Sequence, residues 1–351
     1  MSCLVWWRFG VIAGFLFLGG IAFGEVSDLK AERDDWTFSF YFENDLFANT
    51  DRNYTNGTKL TWISPDVDTY FREAGKLPGW AYDALRYLPL VNKEGTQKNV
   101  ALSFGQNLYT PSDISQTGLI VNDRPYAAWL YFGVALHNKT DRWLDTIEVN
   151  VGVIGPWALG EETQNFIHRT RGIRQVYGWD NQIGNEIAVN IIWERKFRWV
   201  LFGDGSGMGM DALAHMGASV GNVFTYANSG GGLRLGWNLP QDFGAALIRM
   251  AGDTNAPASL DDLRLKEDRV FGIHIFGSLD GRAIARDATL DGNTFASSHS
   301  VDKESLVGDA SVGVSTVIGR WKVSYAWTYR TKTFKEGLDQ AFGSINVSMT
   351  F

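Results

Sequence analysis

The chain has 351 residues and a formal charge of −7 with no basic run, a balance that argues against nucleic acid as a partner. Its only cysteine is Cys3, so no disulfide framework is available. After the first two dozen residues no stretch reaches the roughly 18–20 consecutive apolar residues of a membrane-spanning helix, which excludes helical membrane proteins and leaves strands as the way into lipid.

Residues 1–24 read as an export signal, with Arg8 as the positive flank, Val11 to Phe23 as the apolar core and Ala22-Phe23-Gly24 as a small-residue cleavage pattern. The mature chain, 25–351, then carries no cysteine. Its 14% aromatic content suits two interfacial girdles of a closed barrel.

Period-two alternation begins at Trp36, Phe38, Phe40 and Phe42, set against Thr37, Ser39, Tyr41 and Glu43. It stops at Asn44 and Asp45, and a polar loop leads to a second strand opening at Tyr54 and Thr55. A hairpin there places Asn44, Asp45 and Thr55 at one level on neighbouring strands. Runs of about ten residues follow from Lys98, Tyr126, Arg142 and Glu186, each alternating apolar with polar or small. With the amino end taken as periplasmic, the segments 45–53, 109–125 and 155–185 lie at the outer face, and a tight turn near Thr140 and Asp141 lies at the inner one. The segment 66–97 is a long periplasmic connection in which Leu77, Trp80, Ala81, Leu85 and Leu88 suggest an amphipathic interfacial helix.

Later strands are expected near Met208 to Val220 and Gly232 to Leu239. Residues 240–268 read as a long connection or another strand and loop, and Val270 to Leu290 as one strand or two. Ser305 to Ile318, Arg320 to Phe334 and Ser344 to Phe351 close the set. The expected fold is all-β, a single transmembrane antiparallel barrel of 12 strands, or 14 if the doubtful region is split, with a short helix in an extracellular loop. A secreted β-sandwich is the competing architecture. A last strand that carries Phe351 on its apolar face resembles those of outer-membrane barrels, whose final strand bears an assembly signal, and that resemblance implies the barrel assembly machinery as a partner.

From Leu159 to Arg171 the spacing is helical, with Glu161, Gln164 and His168 on one face and Gly172 as the stop. Such a helix could lie against the barrel wall, bringing His168 to the rim that carries Asn44, Asp45 and Thr55. Singly, each has an ordinary reading: Asn and Asp end strands as turn formers, Thr55 is a strand residue, and His168 packs or is solvated. No GxSxG elbow, HExxH or EF-hand loop is present. Together the set fits a histidine base acting on water, with carboxylate and amide oxygens suited to a hard cation such as Ca²⁺.

The runs ENDLFANTDRNYTNG, NLYTPSD with DRPYAAWLY, GVIGPWALGEETQNFIH and GWDNQIGNE, and the Phe-terminated last strand, resemble the lipid A 3′-O-deacylase family of outer-membrane barrels over essentially the whole mature chain. The resemblance implies a 12-stranded barrel and Ca²⁺-dependent removal of the 3′-linked acyloxyacyl chain from lipopolysaccharide in the outer leaflet. It implies Asn44 and Asp45 as the family's Asn-Asp pair holding metal, Thr55 as its site threonine and His168 as its base. The family's lysine falls at Gln116 and its glutamate at Arg174, departures that bear on substrate fit; Gln116, Gln164 and Arg174 are the expected substrate contacts, and Arg169, Arg171 and Arg174 could meet phosphate instead. The rival functions are a non-catalytic pore and a barrel esterase acting on phospholipids.

Overall fold

The computed structural model describes residues 35–45, 53–67, 96–172, 174–203, 205–244, 247–266 and 271–351. The expected signal, the hairpin tip at 46–52 and residues 68–95 of the expected interfacial segment lie outside them.

Twelve strands form one closed ring. They are β1 (Thr37–Asn44), β2 (Asn53–Ile63), β3 (Gln97–Thr110), β4 (Ala127–Lys139), β5 (Trp143–Ile154), β6 (Glu186–Phe202), β7 (Met208–Gly221), β8 (Phe224–Trp237), β9 (Phe271–Asp287), β10 (Leu306–Ile318), β11 (Trp321–Arg330) and β12 (Gln340–Thr350). Sequence neighbours pair antiparallel, and β1 pairs with β12 to close the ring. Trp36 and Phe351 seal that seam by exchanging backbone hydrogen bonds of 2.8 and 2.9 Å. A ring has no free edge, so ladder groups are satisfied internally, as lipid requires.

The alternation sorts side chains as the sequence predicts. Phe132, Val134, Val149, Val151, Ile187, Val189 and Ile191 stand exposed on the outer wall, an apolar belt that only lipid would solvate well. Tyr41, Glu43, Tyr131, His137, Glu148 and Glu194 are buried in the lumen. The turn at 140–142 is tight, closed by Thr140 N donating to Trp143 O at 2.8 Å. Val270 to Leu290 resolves to a single strand, β9, followed by the short helix Ala288–Asp291, so the count is 12 and not 14. Strand β8 begins at Phe224, eight residues before the expected Gly232, and β12 at Gln340 rather than Ser344.

The doubtful segment 240–268 is a connection, and it turns back into the lumen. Asp242, fully buried, meets Arg234 at 2.6 Å, Lys322 at 2.7 Å and Arg264 at 3.1 Å. Asp253 pairs with Lys59 of β2 at 2.6 Å, and Asn255 donates to the Tyr41 hydroxyl at 2.9 Å. The Ile248 amide donates to Glu43 at 2.7 Å. Buried charges persist only when paired and hydrogen-bonded, and here loop and wall supply each other's partners. The result is a polar plug in the space a channel would leave open.

Candidate active site

The rim residues belong to the end of the barrel opposite the one where Trp36 and Phe351 pair. Asn44 ends β1, and its register partners are Gly343 on β12 and Asn56 on β2. On the outer wall the row continues from Asn56 to Leu108 on β3 and to Ala128 on β4. The inward neighbours of this row, Tyr54, Asn107, Tyr109 and Trp129, line the lumen instead.

Thr55 is the extra residue of a bulge, because the β2–β3 register shifts between Tyr54 and Asn56. That shift gives Thr55 a place beside Thr110 on β3, with the two hydroxyls 2.6 Å apart. Asn44, Asp45 and Thr55 are buried to 4%, 1% and 4% exposure. The residue directly opposite Asn44 is Asn56, which the motif reading passed over; counting hairpin register from Asn44 would have found it. Asn56 is equally buried, and its Nδ2 has no hydrogen-bond partner among the described residues.

Outward-facing Leu108 and Ala128 are nevertheless sealed, at 0% and 1% exposure. Their cover is the segment after β5. A 3-10 turn at Pro156–Ala158 leads into helix α1 (Gly160–Arg171), and Ala158, Val176 and Trp179 pack on Leu108 and Ala128 in one apolar cluster. The sequence explains the fit at three points. Gln106, pointing outward from β3, donates to the Ala158 carbonyl at 2.6 Å. Gly160 lies so close that an added Cβ would come 2.6 Å from the Ala128 methyl and the Trp179 ring. Gly172, at φ 68, ends α1 in the left-handed conformation that glycine adopts without cost.

The face of α1 turned to the wall carries Gly160, Gln164, Asn165 and His168, all buried. Asn165 clamps the returning chain, donating to Val176 O at 3.0 Å and accepting from Val176 N at 2.8 Å. His168 is 2% exposed, so its imidazole does not point into solvent. Its Nδ1 lies 2.6 Å from the carbonyl oxygen of Arg174. A carbonyl can only accept, so the proton sits on Nδ1 and the basic lone pair on Nε2. At the start of α1, burial together with Glu162 and Asp180 raises the Glu161 carboxyl above its ordinary range.

The expected substrate contacts divide. Gln164 belongs to the buried face, accepting from Trp179 Nε1 at 2.7 Å. Gln116 and Arg174 are exposed on the rim, where Gln116 donates to Asp113 at 2.9 Å. Hydrogen bonds from Ser115 and Gln116, with the Arg174 charge nearby, hold the Asp113 carboxyl below its usual range. Arg169 and Arg171 are exposed as well.

No group of three or more His, Cys, Asp or Glu gathers anywhere among the described residues. Among the described residues, the donors at the rim are the buried carboxylate of Asp45 with amide and hydroxyl oxygens from Asn44, Thr55 and Thr110. An all-oxygen set of this kind fits Ca²⁺, which accepts neutral oxygens and water, and does not fit zinc.

A family model described as outer membrane protein LpxR matches residues 12–351. The structure of LpxR from Salmonella typhimurium aligns with a TM-score of 0.70 at 19% identity, covering 90% of this chain and 100% of that one. The β domain of the Bordetella autotransporter Brka aligns at 0.42 and 9% identity, covering 91% and 99% of the two chains. The KdgM porin aligns at 0.37 and 7%, covering 90% and 99%. No curated protein sequence matches.

Proposed function

Because this chain belongs to the LpxR family of outer-membrane proteins, a family of lipid A deacylases, we propose that it hydrolyses the ester holding the 3′-acyloxyacyl chain of lipid A, with His168 as the base. The observation that carries this reading is the buried imidazole of His168, held by a backbone carbonyl on the wall-facing side of a helix that packs on the outside of the barrel. A catalytic group on the outer wall meets lipid, whereas one in the lumen would meet solute.

In this reaction Nε2 of His168 takes a proton from water as the oxygen attacks the ester carbonyl carbon. The carbonyl π electrons move onto oxygen, the carbon–oxygen bond to the sugar then breaks, and the imidazolium returns the proton to the departing 3′ oxygen. Nδ1–H stays bonded to Arg174 O throughout, which keeps the ring oriented. Asn44, Asp45 and Thr55 would hold Ca²⁺. When bound, the cation supplies positive charge to the developing oxyanion. The loops at 111–126 and 155–185 would face the cell exterior, where Arg169, Arg171 and Arg174 reach lipid phosphate.

Mass spectrometry of lipid A from cells expressing the protein tests the proposal. Loss of the 3′ chain, absent with His168→Ala at equal levels of folded barrel, is the expected result. Unchanged lipid A with altered phospholipids would transfer the same site to a phospholipid esterase. No change in either would remove the hydrolytic reading.

A further inference from the structure

We propose that Trp179 is a positioning residue for the reaction: its indole N–H fixes the Gln164 amide so that the NH₂ end is offered to the oxygen of the reacting ester. The inference rests on the reading of His168 as the base of the hydrolytic site.

A side-chain amide can present either of two ends, and a flip exchanges donor for acceptor. Here the choice is forced. Trp179 Nε1 lies 2.7 Å from the Gln164 side chain, and an indole N–H can only donate, so the nearer amide atom is oxygen. Nε2 therefore points away from Trp179. It is buried, and no acceptor among the described residues meets it. Buried donors are almost always satisfied, and a buried NH₂ without a protein partner suits an acceptor brought by substrate.

Trp179 is equally constrained. It is 1% exposed, its ring stands 5.0 Å from that of Tyr126, and it rests against Gly160 with no room for a Cβ between them. It sits in the 3-10 turn Gly178–Asn181, directly after the stretch that Asn165 clamps to the helix. Gln164 lies one turn before His168 on the same buried face, so donor and base are neighbours about 5–6 Å apart at Cβ. A donor beside the base reaches the ester carbonyl, where charge grows as water attacks, and it should therefore act on turnover more than on binding.

The test measures deacylation of lipid A in detergent by the purified full chain, with heat-modifiable gel mobility as the check on folding. Gln164→Ala should lower kcat by about 100-fold and leave KM within about twofold, in the range found for loss of one oxyanion donor. Trp179→Phe keeps an aromatic ring and removes the N–H; it should lower kcat about tenfold, and the double variant should be no slower than Gln164→Ala alone. Gln164→Glu leaves Trp179 in place and should recover activity as pH falls, because the protonated carboxyl regains a donor. Multiplying losses in the double variant, an effect confined to KM, or a Gln164→Glu profile parallel to the parent would each overturn the inference. If His168→Ala is inactive while Trp179→Phe and Gln164→Ala match the parent, this inference alone falls. If His168→Ala is fully active, the hydrolytic site itself is misplaced.

Discussion

A backbone oxygen helps to set the orientation of His168, whose Nδ1 meets the Arg174 carbonyl. Arg174 stands where the family's glutamate is expected, yet what His168 meets at that position is the backbone oxygen. Replacing the side chain therefore leaves the contact intact. Arg174→Ala is expected to keep kcat within about twofold, the lost phosphate contact falling on KM, whereas His168→Ala should lower kcat at least about 100-fold, the usual contribution of a general base. Steady-state deacylation rates check both, and a collapse with Arg174→Ala would show that the guanidinium matters more than the carbonyl. Glu161 adds a pH dependence. Its carboxyl is raised in the folded protein, so the docked helix binds that proton more tightly than the free chain does, and docking weakens as pH rises from the ordinary carboxylate range through the raised value. Glu161→Gln should flatten the pH dependence of proteolytic protection of segment 155–185; an unchanged slope would assign it to other groups. At this scale the sequence motifs singled out Asn44, Thr55 and His168, and all three side chains are buried. The sequence was silent on Asn56 and Trp179, whose importance lies in a register and in one hydrogen bond across a fold.

Among elements, the strands with strict alternation were readable because one face meets lipid and the other the lumen. β8 was not, since Asn228, Ser229 and the run Gly230 to Gly232 interrupt the period, and its first half is held by pairing to β7 and β9 on either side. The plug was beyond sequence reasoning for a different cause. Asp242 answers to Lys322, 80 positions away, and nothing local in 240–268 announces a partner at that distance. The same arrangement makes the plug testable. Asp242→Ala leaves Arg234, Arg264 and Lys322 facing one another without their shared carboxylate, and breaking such a buried set typically costs about 3–5 kcal/mol. The expected outcome is a lower urea midpoint and measurable conductance in planar bilayers, where the parent conducts little. Loss of stability without conductance would mean that the plug stays seated by its remaining contacts, such as Lys59 with Asp253.

For the whole molecule, the decisive feature is that the proposed site and the lumen lie on opposite sides of one wall. Asn44, Asn56, Leu108 and Ala128 run along the outside, the last two covered by the segment after β5, while Tyr54, Tyr109 and Trp129 look inward to a plugged interior. With the site proposed above, substrate would arrive sideways through the membrane and not through the barrel, so the leaflet that the rim occupies would decide which lipid is met. Lipid A is confined to the outer leaflet, and the function proposed above requires the rim loops to face the cell exterior. The chain offers a clean way to ask. Its only cysteine, Cys3, falls in the expected signal, and Gly118 sits exposed in the 111–126 loop with open space where a Cβ would stand. Gly118→Cys should fold and react, and a maleimide reagent that cannot cross the outer membrane should label it in intact cells as fully as in lysed ones. Labelling only after lysis would put the rim at the periplasmic face, where His168 would meet phospholipid instead, and the deacylase assignment would have to yield to an esterase of the inner leaflet.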